Sequence, residues 1–96
     1  MAEDNKTQDL VKQQLQLFAY QKQELNFRIE EIKRALSEAE KATETYRFYG
    51  NILVKKDSKA LASELSAELK ELQDRTQVIE MQEQKIKGMS SSKKTN

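Results

Sequence analysis

Between residues 46 and 56 the chain reads Tyr-Arg-Phe-Tyr-Gly-Asn-Ile-Leu-Val-Lys-Lys, and this stretch constrains the fold more than any other. Aromatic and β-branched residues crowd together here and nowhere else. Such residues suit a pleated, half-buried surface. Gly50-Asn51 in the middle is a two-residue turn signal, because Gly accepts positive φ without a Cβ clash. With those two residues as the loop, Tyr49 pairs with Ile52, Phe48 with Leu53, Arg47 with Val54 and Tyr46 with Lys55. Side chains alternate faces along a strand. One face then carries Arg47, Tyr49, Ile52 and Val54, and the other carries Tyr46, Phe48, Leu53 and Lys55. Both faces are mostly apolar. A lone two-stranded hairpin is marginal in water and has two unpaired edges. The chain offers no other strand, so other copies or other subunits must complete this sheet.

The flanks read as long helices, with no proline anywhere in the chain. In the first, a heptad with Leu15 at position a places Gln8, Lys22, Ile29, Leu36 and Thr43 in the same row. The d row is Val11, Phe18, Leu25, Ile32, Ala39 and Tyr46, all apolar or aromatic. That is a coiled-coil seam. Asn5 followed by Gln8 resembles a capping-box start. Glu24–Arg28 and Glu30–Arg34 are favourably oriented i,i+4 pairs on a solvated face. In the second helix, capped by Asp57 or Ser58, Leu65, Leu72, Ile79 and Ile86 recur every seven residues. The accompanying row drifts among Leu61, Ala62, Leu69 and Met89. Gly88 reads as a C-terminal stop, and the Ser/Lys/Thr stretch after it reads as a disordered tail.

Reversal at the hairpin aligns the two seams. Phe18 comes opposite Ile86, Leu25 opposite Ile79, Ile32 opposite Leu72 and Ala39 opposite Leu65. Lys22 comes opposite Glu83. A Lys at an a position is compatible with a register-setting ion pair or with a side chain snorkelling to water. The expected fold is mainly α. It is an antiparallel two-helix coiled coil in one domain, residues 1–96, with helices over 7–45 and 58–87, the β-hairpin over 46–56 and the tail over 88–96.

Composition bounds the function. Charged residues make up 34% of the 96 and hydrophobic ones 36%, too polar for a large globular core. Net charge is +1, from 17 basic and 16 acidic residues, which argues against nucleic acid and anionic membranes as partners. There is no Cys and no His, no Gly-rich phosphate loop and no carboxylate cluster away from the solvated faces. We therefore expect no enzyme activity, no catalytic residues, no cofactor and no metal site. Neither an apolar run of roughly 18 residues nor a signal-peptide core is found, so the expected compartment is the cytoplasm.

The order of helix, Tyr46-x-x-x-Gly50-Asn51-Ile52-Leu53-Val54-Lys55, and a second helix closing on Gln82-Glu83-Gln84-Lys85-Ile86 resembles the β-type subunit of prefoldin, as found in archaea. The resemblance covers residues 8–87. It implies a hetero-hexamer of α-type and β-type subunits whose hairpins close into a β-barrel body. It also implies an ATP-independent holdase whose coiled-coil tips bind unfolded clients and pass them to a group II chaperonin. The oligomerisation residues would be Tyr46, Phe48, Tyr49, Gly50, Ile52, Leu53 and Val54. For the tips, Leu10 and Leu17 lie off the a/d seam, and Val11 and Met89 sit near the helix ends. These four are the candidate client-binding residues. The alternative is a structural coiled-coil scaffold subunit that binds no client.

Overall fold

The computed structural model describes the backbone of residues 2–95 and the side chains of residues 6–89. The elements are α1 (Ala2–Lys41), β1 (Thr45–Tyr49), β2 (Ile52–Lys56) and α2 (Ser58–Thr95). The two long helices pack together with the hairpin between them. The chain divides into two compact units: residues 27–73, called the hairpin unit, and residues 1–26 with 74–96, called the terminal unit.

The hairpin register follows the turn. Tyr49 pairs with Ile52, Phe48 with Leu53, Arg47 with Val54 and Tyr46 with Lys55. One further pair, Thr45 with Lys56, lengthens the ladder beyond the expected start at Tyr46. Gly50 has φ 61° and no other described residue has positive φ, which is the pattern of a type II′ turn. The Thr45 hydroxyl donates to the Lys56 carbonyl at the base of the ladder, where Thr45 is buried.

Helix α1 begins at Ala2 rather than at residue 7, so Asn5 lies inside the helix and is not its cap. It ends at Lys41 rather than at residue 45, with the Ala42 N–H donating to the Glu38 carbonyl in a last turn. Thr43 and Tyr46 therefore leave the heptad. β-Branched and aromatic side chains at Thr45 and Tyr46 satisfy the ladder instead. Asp57 is the N-cap residue of α2, its carbonyl accepting from the Leu61 N–H at 2.9 Å. The helix continues through Gly88 to Thr95, where the sequence suggests a stop and a disordered tail. Gly88 has ordinary helical φ. A Gly in a helix costs only about 1 kcal/mol against Ala, so it terminates a helix only where a left-handed cap forms.

In the hairpin unit, Ala39, Leu61 and Leu65 form a buried cluster against which Ile32 and Leu36 pack. Ile29 and Leu72 are also buried. In the terminal unit Phe18 is buried, and Val11, Leu15, Leu25, Ile79 and Ile86 are half-buried. The second row of α2 begins astride Leu61, which is buried, and Ala62, which is half-buried. Half-buried or buried positions run through Ala62, Leu69, Thr76 and Glu83. The last two are polar, which hides the row from an apolar pattern.

Candidate interaction surfaces

The two faces of the hairpin differ more than their composition suggests. The Thr45–Arg47–Tyr49–Lys56 side is tied to α2 by charge. Arg47 Nη2 donates to Glu68 Oε1 at 2.6 Å, and Lys56 Nζ to Glu64 Oε1 at 2.7 Å. The Tyr49 hydroxyl reaches Glu64 Oε1 at 3.4 Å. Glu64 Oε2 is buried and faces Arg47 Nη1 at 3.6 Å, an ion-pair distance beyond hydrogen-bond reach. The Tyr49 ring has the Arg47 guanidinium 5.8 Å and the Lys56 ammonium 5.5 Å from its centroid, within cation–π range.

These contacts set the local acid–base behaviour. The hydrogen bond from Lys56 holds the Glu64 carboxyl below its usual range, against a smaller opposing effect of burial. The same bond raises Lys56, and the bond to Glu68 raises Arg47.

The opposite face has no such cover. Tyr46, Phe48 and Leu53 are exposed, Phe48 by 69%. Glu44 is the anchor at its margin, accepting from the Tyr46 hydroxyl at 3.2 Å and lying 3.9 Å from Lys55 Nζ. On the first face Ile52 and Val54 are also exposed. Among the described residues the sheet has only these two strands, so each strand offers an open edge. All seven hairpin residues singled out from the sequence thus sit together on a small ribbon with apolar side chains facing water.

The terminal unit carries the other four. Leu10, Leu17 and Met89 are exposed. Val11 is half-buried on the seam row, so its environment is that of a coiled-coil position. In the same unit Lys22 Nζ lies 2.6 Å from Glu83 Oε1, with the two side chains 28% and 9% exposed. Of the two readings of Lys22, the ion pair is the one realised. Glu30 pairs with Lys33 at 3.7 Å, an i,i+3 contact in place of the i,i+4 pair with Arg34. Glu24 stands beside the Tyr20 hydroxyl, and its hydrogen bond raises that phenol.

Some exposed apolar residues escape the heptad reading. Tyr20 and Phe27 on α1, and Val78 and Met81 on α2, are all exposed. They occupy outward positions, where an a/d search does not look. Among the described residues no group of His, Cys, Asp and Glu is arranged to hold a metal ion, and no helix is long and apolar enough to cross a membrane.

Paired helices joined by a β-hairpin with open edges and an open apolar face define the class of this fold. Known proteins place the chain within that class. It matches the family Prefoldin subunit over residues 2–96. It is 38% identical over 77 residues to the prefoldin subunit beta of Thermococcus onnurineus, and equally so to that of Pyrococcus furiosus. Each match covers 77% of this chain and 66% of the relative, just under two thirds of its length. The crystal structure of the prefoldin beta subunit from Thermococcus strain KS-1 superposes with a TM-score of 0.85 at 29% identity, covering 95% of this chain and 82% of that one. The chain belongs to the prefoldin family, and the relatives it matches are beta subunits.

Proposed function

We propose that this chain is a subunit of an ATP-independent, prefoldin-type chaperone in the cytoplasm. Hairpins of several subunits pair edge to edge into a β-barrel body, and α-type subunits together with further β-type copies make a hetero-hexamer. Unfolded client chains are held at the helical ends farthest in sequence from the hairpin, through Leu10, Val11, Leu17 and Met89. The held client is passed to a group II chaperonin. Weak apolar contacts at each subunit add up, because several copies raise the effective concentration of binding sites around one client.

The observation that carries this reading is the exposed Tyr46–Phe48–Leu53 face on a two-stranded sheet with open edges. Left uncovered, such a ribbon is unstable and prone to unspecific pairing. Leu53→Asp places a charge at its centre. Circular dichroism of the variant should show its helices intact, while light scattering should show the higher assembly gone. An unchanged oligomer would refute association through the hairpin. Client holding is tested by suppression of aggregation of a denatured protein, with and without an α-type partner. Failure to suppress it, with assembly intact, would leave a structural scaffold.

A further inference from the structure

Four residues on the outward side of α2 line up at spacings of three, four and four: Val78, Met81, Lys85 and Met89. At 100° per residue these positions fall within one narrow face, well away from the seam positions Leu72, Ile79, Glu83 and Ile86. Val78, Met81 and Met89 are exposed, Met81 by 72% and Met89 by 63%. Val78 and Met81 also line a shallow groove with Lys22, Gln77 and Lys87. This is a solvent-facing strip in which apolar side chains alternate with lysine and glutamine. The chain has no cysteine. Its third methionine, Met1, lies outside the described residues, so Met81 and Met89 are the only sulfurs among the described residues, and both are exposed enough to meet small oxidants.

We propose that Met81 and Met89 are a hydroperoxide-sensitive modification site that lowers client holding without touching assembly. The inference rests on the client-holding reading given above. In the reaction the thioether sulfur attacks the outer oxygen of a hydroperoxide. The O–O bond breaks as the S–O bond forms, and a proton shift releases water or an alcohol. The sulfur loses two electrons and the peroxide gains them, so no further reductant or oxidant is needed. The product is a polar, chiral sulfoxide in place of a flexible apolar side chain. Methionine suits varied apolar partners because it is unbranched and polarizable, and both advantages are reduced in the sulfoxide. The hairpin unit, residues 27–73, contains no sulfur, so the sheet and the Ala39–Leu61–Leu65 cluster are chemically inert to the same treatment.

The test uses the full chain assembled with its partner subunits and treated with hydrogen peroxide. Peptide mass mapping should show one added oxygen on each of Met81 and Met89. Native mass should show the same oligomer, and the amount needed to protect a denatured client should rise several-fold. Reduction by a pair of methionine sulfoxide reductases, one for each epimer, should restore protection. The double variant Met81→Leu/Met89→Leu, compared with itself before and after peroxide, should show no further loss of protection on treatment. The polar mimic Met81→Gln/Met89→Gln should protect poorly without any peroxide. Full protection by the treated wild type with both sulfurs converted, or full protection by the Gln variant, overturns the proposal. An untreated assembly that protects no client overturns the client-holding reading itself, which is a separate result.

Discussion

The hairpin unit and the terminal unit use the same helical pairing with different chemistry. In the hairpin unit the buried and half-buried seam positions Ile29, Ile32, Leu36, Ala39, Leu61, Leu65, Leu69 and Leu72 are all apolar. In the terminal unit the seam admits Lys22, Thr76 and Glu83 among Leu15, Phe18, Leu25, Ile79 and Ile86. Apolar layers give stability in proportion to buried area but tolerate sliding, since any Leu fits most holes about equally well. A buried ion pair contributes little net stability, because desolvation offsets attraction, yet it penalises every register that separates the partners. The difference teaches that this chain keeps its stability near the turn and its register information near the termini.

The largest test of that contrast is Leu65→Ala against Leu25→Ala. Leu65 is buried in the hairpin cluster, so its truncation should cost about 2–5 kcal/mol. Leu25 is half-buried in the terminal unit, and its loss should cost about 1 kcal/mol. Chemical denaturation of the two variants measures the gap. Equal costs would mean that the units share stability evenly.

Next in size is the ion pair. Lys22→Ala strands the buried Glu83 carboxylate and should cost about 1–3 kcal/mol. Replacing both by Leu should be nearly neutral in stability. The double variant should instead broaden the inter-helix distance distribution between spin labels on either side of the pair. A sharp distribution there would show that the apolar layers set register by themselves.

The smallest effect concerns the charged side of the hairpin. Glu64 is a carboxyl depressed in the folded state, so its stabilising contribution is present above the ordinary carboxylate range and is lost as pH falls through the lowered folded value. Lys56, raised by the same contact, contributes at neutral pH and loses its contribution only as pH rises through its elevated value. On acidification the Tyr49 ring resonances should shift as the Glu64 contact is lost, and Glu64→Gln should flatten that pH dependence. Salt should weaken the effect, since these side chains are partly solvated. An unaltered titration in the Gln variant would assign it to another carboxylate.

Much of this was legible from residue order. The Gly50-Asn51 turn determines the strand pairing, because a two-residue loop leaves a single register. The α1 seam was legible because its d positions are uniformly apolar, and that alignment placed Lys22 opposite Glu83. The second row of α2 was not, since Thr76 and Glu83 break its apolar signal. Nor were Glu64 and Glu68 recognisable as partners of Arg47 and Lys56. On a helix rich in carboxylates nothing marks the two that meet the hairpin until the hairpin is placed. Asn5 and Gly88 do not mark the helix ends, because such local punctuation is weak beside continuing backbone hydrogen bonds.

The glycine turn also favours one order of closure over others, through loop entropy. Closing the hairpin at Gly50 requires only a short loop, and hairpins of this kind form in about 1–10 μs. With the Thr45–Lys56 pair made, the Ala39–Leu61–Leu65 cluster needs only a small additional closure, and each later layer starts from the one before it. The Lys22–Glu83 pair comes late in such a sequence. Loop-closure entropy thus favours closure from the middle of the chain outward, and a nascent chain cannot begin it until the hairpin and the start of α2 have been made. Until then α1 waits with its seam uncovered.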